Sequence, residues 1–141
     1  MRLLLSFAIC TIAVATLSSC HESLEDRAER ESKEYTEKFC PTPPQNSVIT
    51  DSLVFDRKTK TQIYYMTFTG LIDNADAIKS QEKELEKAML TSLRQNPQIE
   101  PYKEAGFTFE YVCRSQKDSK TVLLHCKFGP KQYSDGIRNK E

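Results

Sequence analysis

The sequence predicts an α+β domain in which helices pack on one face of a four-stranded antiparallel sheet. Two segments rich in β-branched and aromatic residues precede a long amphipathic helix, and two more such segments follow it. A charged segment with helical spacing comes before the first pair of strands. The predicted order is therefore α-β-β-α-β-β, which is typical of two layers with the helices on one side of the sheet.

The first predicted helix lies in the charged segment 22–38, which contains neither Gly nor Pro. Its few apolar residues are Leu24, Ala28 and Tyr35, and Phe39 follows the segment directly. They are spaced 4, 7 and 4 residues apart, which keeps them on one helical face. The prolines that follow cannot continue the helical hydrogen-bond ladder, so the helix is expected to end there.

The first pair of strands is predicted at residues 48–55 and 62–69, joined by a charged turn. Gly70 closes the second strand. The turn contains neither Asn-Gly nor Asp-Gly, so the sequence leaves the register of this hairpin open.

A second helix is predicted in the segment 74–97, with Asn74 or Asp76 as the cap and Pro97 at the end. The apolar residues of this segment recur at helical spacing and form one stripe. The stripe comprises Ile78, Leu85, Ala88, Met89 and Leu93.

A second hairpin is predicted from residues 107–113 and 121–128, where apolar and polar residues alternate. A turn at residues 118–119 would pair Cys113 with Leu124, Tyr111 with Cys126 and Phe109 with Phe128. This register places the larger residues on one buried face, while the order of strands between the two hairpins stays open. The predicted buried face comprises Phe107, Phe109, Tyr111, Cys113, Val122, Leu124, Cys126 and Phe128.

The N-terminus has the features of an export signal. Arg2 supplies a positive start, and residues 3–17 contain no charged side chain. A helix of this length covers about 22 Å, which is short of the roughly 30 Å hydrocarbon core of a membrane. The small residues Ser18 and Ser19 then lead into Cys20, as expected where a signal peptide is removed.

The string Leu17-Ser18-Ser19-Cys20 resembles the lipobox of bacterial lipoproteins. This resemblance implies removal of residues 1–19, acylation of Cys20 and lipid anchoring in the bacterial cell envelope. His21 does not match the Asp that retains some such proteins at the inner membrane, so the outer membrane is the expected site. The alternative is an ordinary signal peptide cleaved nearby, with Cys20 an incidental thiol.

These features divide the chain into four parts. Residues 1–19 are the predicted signal peptide, and residues 20–34 are a solvated N-terminal stalk. Residues 35–129 form the α+β domain, and residues 130–141 are a loose tail. After loss of Arg2 the chain carries nineteen Lys and Arg against twenty Asp and Glu, a balance that gives no reason to expect a nucleic-acid partner.

The residue pattern gives no support for an enzyme, a metal site or a cofactor. No Cys-x-x-Cys or Cys/His metal spacing occurs. His125 and Cys126 are adjacent in a strand, so their side chains should lie on opposite faces and cannot act as a pair. Cys40 could bridge to Cys113 or Cys126, although buried free thiols are the more common outcome.

The predicted second strand is apolar on both faces, which is unusual for a sheet with one wet side. One face carries Ile63 and Tyr65, and the other carries the candidate binding residues Tyr64, Met66 and Phe68. Either face could be the outer one, and the alternative is a central strand whose outer face is covered by the tail or by large side chains. Tyr and Met are favoured at protein interaction surfaces, so the hypothesis is an open sheet face that binds an unknown envelope partner.

The expected function is therefore a lipid-anchored, non-enzymatic binding or scaffolding module. The alternative is an inhibitor or immunity-like protein acting on an envelope enzyme. That alternative would use a rigid exposed loop, and the turns at residues 57–60 and 116–120 are its candidates.

The lipobox hypothesis predicts that Cys20→Ser abolishes acylation. Intact-mass measurement of the protein purified from membranes should show a chain that begins at Cys20 and carries acyl mass, and this mass should be lost in Cys20→Ser. Cys10→Ser, which changes a thiol inside the signal peptide, is the matched control and should leave the mature mass unchanged. Unmodified wild-type protein in the soluble fraction would contradict the hypothesis.

Overall fold

The computed structural model describes residues 21–134, in which four strands form one sheet in the order β1-β2-β3-β4. The predicted signal peptide, Cys20 and the last seven residues of the predicted tail lie outside the described residues. The two hairpins expected from the sequence are both present. The strands are β1 (Val48–Asp56), β2 (Thr61–Phe68), β3 (Thr108–Ser115) and β4 (Val122–Phe128).

The sheet is mixed, whereas the sequence predicted an antiparallel one. β2 and β3 lie side by side and run parallel, with Tyr64 opposite Tyr111 and Met66 opposite Cys113. The two outer pairings are antiparallel. Residues 69–107 connect β2 to β3 and carry helices, which gives the chain enough length to return to the end of the sheet where β2 began. The predicted α+β class and the order of elements are confirmed.

The register predicted for the second hairpin is confirmed at all three predicted pairs, which are Cys113 with Leu124, Tyr111 with Cys126 and Phe109 with Phe128. Val122 is the exception, because it does not lie on the buried face. The register shifts between Cys113 and Arg114, so that Val122 pairs with Arg114. The side chain of Val122 is 48% exposed as a result.

The first helix, α1 (Leu24–Phe39), packs against β1 along its length. Ser23 caps it, since its Oγ accepts a hydrogen bond from the amide of Asp26 at 3.0 Å. Ala28 and Ser32 are both buried. Residues 24–34 therefore belong to the folded domain, and the interpretation of this segment as a solvated stalk is wrong.

Two helices stand where the sequence predicted one. Asn74 caps α2 (Ala75–Ser80) through its side-chain oxygen, which accepts from the amide of Ala77 at 3.1 Å. The chain leaves helical geometry at Gln81 and resumes as α3 (Glu82–Gln95). A short helix, α4 (Glu100–Glu104), completes the connection to β3.

None of the helices within residues 21–134 has the length and apolar character needed to cross a membrane.

The core lies between the helices and the inner face of the sheet. Phe107 and Phe109 are fully buried at its centre. Phe107 stacks on Phe55 from β1 and on Tyr102 from α4, with ring centroids 5.2 Å apart in both cases. Aromatic pairs of this kind contribute beyond the apolar area that they bury, so this cluster fixes α4 and β1 against the start of β3.

The first part of the predicted tail is folded. Residues Pro130–Ser134 form a helix, α5, and Tyr133 is only 4% exposed. The hydroxyl of Tyr133 lies 2.9 Å from the carbonyl oxygen of Phe107 and 3.0 Å from that of Lys103. A buried hydroxyl with these partners attaches α5 to the segment that leads into β3, so the interpretation of residues 130–134 as a loose tail is wrong.

We expect Tyr133→Phe to lower the free energy of unfolding by about 1–2 kcal/mol, because buried carbonyl groups lose their donor while the ring still fills its site. Urea denaturation, monitored by circular dichroism, measures the change. The slope of the unfolding free energy against urea concentration should stay the same as in the wild type. Tyr35→Phe is the matched control, because Tyr35 is 36% exposed. Equal stability of both variants would contradict the attachment of α5.

Candidate binding groove

Tyr64, Met66 and Phe68 lie on the inner face of the sheet, towards the helices. Tyr64 stacks on Tyr111 with ring centroids 4.9 Å apart, and burial raises the pKa of Tyr64 to about 12. Phe68 is 6% exposed. The alternation of β2 therefore turns Ile63 and Tyr65 to the outer face, and the hypothesis that Tyr64, Met66 and Phe68 form an open sheet surface is wrong.

Met66 and Phe68 instead line a groove between the sheet and the helices. The groove encloses about 600 Å³ and is lined almost entirely by apolar side chains. One wall is the inner face of the sheet, the other is formed by α2, α3 and the 3₁₀ turn Gly70–Ile72, and Asn46 lies at the edge. The wall residues are Val48, Met66, Phe68, Tyr111, Cys113 and Leu124 on the sheet, and Ile72, Ile78, Leu85, Ala88, Met89 and Ser92 opposite.

One end of the helical wall is held by Asp73, just before α2. Its carboxylate accepts from the amide of Lys117 at 3.0 Å, and its carbonyl oxygen accepts from Nζ of the same lysine at 2.9 Å. The hydrogen bond from the Ser115 hydroxyl and that from the Lys117 amide hold the pKa of Asp73 below its usual value. These bonds join the start of the helical wall to the end of β3.

The other end of the helical wall is held at the C-terminus of α3. The Nζ of Lys103 donates to the carbonyl oxygen of Arg94 at 2.9 Å, and the guanidinium of Arg94 donates to the carbonyl oxygen of Gln132. Leu93, next to Arg94, is 2% exposed, whereas Leu85 and Met89 are only partly buried. Apolar side chains in the first half of α3 are therefore reached by solvent, which leaves the groove open along Leu85 and Met89.

The wall of the groove includes the thiol of Cys113. Cys40, Cys113 and Cys126 are all free thiols. Burial raises the pKa of Cys113 to about 12 and, together with the nearby carboxylates of Glu86 and Glu82, raises that of Cys126 to about 11. The bridge considered for Cys40 is not formed, and the buried thiols are protonated at neutral pH.

The outer face of the sheet is mixed in character. Ile63, Tyr65 and Val112 lie at its centre, and the guanidinium of Arg114 lies 5.5 Å from the centroid of the Tyr65 ring. The Nε2 of His125 lies 2.6 Å from Oε1 of Glu110, while the neighbouring Cys126 is buried on the inner face. Charged side chains therefore interrupt the apolar residues of the outer face. The predicted placement of His125 and Cys126 on opposite faces of the sheet is confirmed.

The turn at residues 57–60 is held by ion pairs to α1. A terminal nitrogen (Nη2) of Arg57 lies 2.6 Å from Asp26 and 2.7 Å from Glu29, and the Nζ of Lys60 lies 2.7 Å from Glu25. Arg57 and Lys60 are therefore engaged by α1 within the chain.

The turn at residues 116–120 is held by its own polar groups. The carboxylate of Asp118 accepts from the hydroxyl of Thr121 at 2.6 Å and from the amide of Lys120 at 3.1 Å. Lys117 is bound to Asp73, as described above.

Among residues 21–134, no group of three or more Cys, His, Asp and Glu side chains converges into a metal site.

The domain resembles known proteins in sequence and in fold. Residues 23–124 match the family model described as a domain of unknown function, DUF8479. No curated protein matches the chain.

Two solved structures share the fold. A protein of Pseudomonas aeruginosa assigned as secreted has a TM-score of 0.65 and 14% identity, over 79% of this chain and 97% of that one. A pilotin of the Vibrio vulnificus type 2 secretion system has a TM-score of 0.58 and 10% identity, over 77% of this chain and 90% of that one. At such identities the likeness shows the fold alone.

We expect the three thiols to react with an alkylating reagent in the order Cys40, Cys126, Cys113. The thiolate is the reactive form, so a raised pKa and burial both slow the reaction of Cys113 at pH 8, whereas Cys40 is partly exposed. Peptide mass spectrometry of samples taken over time measures the order. In denaturant all three should react alike, and rapid reaction of Cys113 in the folded protein would contradict the buried site.

Proposed function

Since the chain belongs to the DUF8479 family of domains of unknown function, we propose that it is a lipid-anchored, non-enzymatic protein of the bacterial cell envelope. Its groove binds an apolar segment of a partner protein. The observation that carries this proposal is the open apolar groove of about 600 Å³ between the sheet and α3.

The size and lining of the groove support binding. Met66, Leu85 and Met89 line the groove and are only partly buried, so solvent reaches apolar side chains on both walls. Cavities of about 300–1,000 Å³ lined mainly by apolar side chains are typical of binding sites. Apolar side chains of a partner would fill the space and remove both walls from water, which stabilises the complex by the hydrophobic effect.

The location rests on the N-terminal segment and on the fold. The string that ends at Cys20 resembles a lipobox, and His21 favours the outer membrane as the site of the anchor. The fold is shared with a protein assigned as secreted and with a secretion-system pilotin. Both descriptions fit a domain that acts in the envelope, and the pilotin supports contact with another envelope protein.

The arrangement of polar groups favours binding over catalysis. Within residues 21–134, His125 faces Glu110 on the outer side of the sheet, whereas the protonated thiols of Cys113 and Cys126 lie on the inner side. The turns considered for an inhibitor are held by contacts within the chain, as shown for Arg57 and Asp118. No observation therefore favours the inhibitor over the groove.

The proposal predicts a position-dependent cross-link in cells. A photo-reactive amino acid in place of Ala88, which is exposed at the rim of the groove, should give a discrete cross-linked product in the membrane fraction. The same residue in place of Val122, which is 48% exposed on the outer face, is the matched control and should give none.

Blocking the groove provides the second arm of this experiment. Ser92 lines the groove and is exposed, so Ser92→Trp should fill part of the space without disturbing the core. It should strongly reduce the product formed from position 88, while circular dichroism shows an unchanged fold. A product from position 122 alone, or one unaffected by Ser92→Trp, would overturn the proposal.

A further inference from the structure

A polar cavity lies on the outer face of the sheet, on the side opposite to the groove. It encloses about 510 Å³, and its lining combines a carboxylate, a guanidinium, a phenol ring and three hydroxyl groups. The lining residues are Asp51, Ser52, Tyr65, Thr67, Arg114 and Ser119. Two opposite charges in one small cavity suit a ligand that carries both charges, and they do not suit an apolar segment.

Two irregularities of the sheet shape this cavity. β1 contains one extra residue, Asp51, because the register with β2 shifts between Thr50 and Ser52. The pairing of β3 with β4 shifts directly beside Arg114. Extra residues of this kind redirect side chains and are over-represented next to active sites. β1 and β3 flank β2, so Asp51 and Arg114 line the cavity from opposite sides of the central strand.

The two charged groups do not neutralise each other. The carboxylate of Asp51 accepts a hydrogen bond from the hydroxyl of Thr67 at 2.7 Å, and Thr67 lies level with Arg114 in the parallel pairing. In the part of the chain that the structure describes, neither Asp51 nor Arg114 forms an ion pair. Asp51 is partly buried and Arg114 is exposed, so a ligand can reach both.

The Arg114 end of the cavity suits a carboxylate. Its guanidinium lies 5.5 Å from the centroid of the Tyr65 ring, an arrangement in which the ring attracts the cation and limits its movement. A guanidinium binds a carboxylate through two parallel hydrogen bonds. Because the group is already held by the ring, less conformational freedom is lost when a ligand binds.

The Asp51 end suits an ammonium group. Only Oδ2 of Asp51 receives the hydrogen bond from Thr67, so Oδ1 can accept from a ligand, and the hydroxyl of Ser52 is a further acceptor. The backbones of β1 and β3 lie about 10 Å apart across β2. The ammonium and carboxylate of an α-amino acid, with a hydrogen bond at each end, span about 8–9 Å, which fits this spacing.

We propose that this cavity binds the zwitterionic head of an amino acid, with Arg114 holding the carboxylate and Asp51 the ammonium. A free amino acid carries such a head, and so does a diamino acid whose other end is bonded within a cell-wall peptide. This inference goes beyond the proposed partner binding, since it concerns the opposite face of the sheet.

The test is an NMR titration of the ¹⁵N-labelled full chain, purified from membranes in detergent. L-Alanine and meso-diaminopimelate should each shift the amides around Asp51 and Arg114 until they saturate. Acetate and methylammonium, which carry one charge each, should shift these amides far less. No saturable shift with either amino acid, or shifts of equal size with acetate alone, would overturn the proposal.

Two variants test the roles of the charged residues. Asp51→Asn and Arg114→Gln each remove one charge, and each should weaken binding about tenfold or more, as expected for the loss of a hydrogen bond to a charged group. Lys127→Gln, which removes a basic side chain on the same face but outside the cavity, should leave the affinity unchanged. Amide signals away from the cavity should match those of the wild type, which shows an intact fold. Equal binding by wild type and Arg114→Gln would overturn the proposal.

Sedimentation with purified cell-wall sacculi distinguishes the two sources of the ligand. Co-sedimentation that meso-diaminopimelate competes away and that Arg114→Gln abolishes would identify a cell-wall peptide. Saturable binding of the free amino acids without co-sedimentation would identify a free amino acid. Both results support the proposed site.

Discussion

The parallel pairing of β2 with β3 is the constraint on which the rest of the structure depends. Parallel neighbours cannot be joined by a tight turn, so residues 69–107 must travel back along the sheet. This connection carries α2, α3 and α4, and it passes over the inner face that α1 also covers. The outer face is left with charged and apolar residues side by side. Because α3 is fixed near Arg94 and the connection is fixed at Asp73, the helices close over the aromatic core but leave the groove open beside Met89.

Much of the fold could be predicted because local pattern and packing agree. Alternation in β3 and β4, together with the turn placed at residues 118–119, predicted the register that pairs Cys113 with Leu124 and puts the aromatic residues on one face. The stripe of the long helix was likewise visible from Ile78 to Leu93. The errors have physical causes. β2 is apolar on both faces, so alternation could not distinguish Tyr64 from Tyr65 as the buried side. Residues 24–34 appeared solvated because the side chains that they bury, Ala28 and Ser32, are small.

The candidate site was harder to predict than the fold. A groove is a place where two layers fail to meet, and residue types do not encode the distance between layers. Leu85 and Met89 were expected on the buried stripe of the helix and Met66 on an open sheet face. All three are partly buried, but nothing local in the sequence marks the gap between them.

The most direct test of the groove as the binding site is NMR of the methionine methyl groups. Met66 and Met89 both line the groove, so protein labelled with ¹³C at these methyls reports on the groove alone, while amide signals report on the whole chain. On addition of detergent-solubilised envelope membranes, the account predicts that both methyl signals shift or broaden together with the amides of α3. Unchanged methyl signals, accompanied by shifts in the amides around Tyr65 and Val112, would contradict it and place the binding surface on the outer face of the sheet.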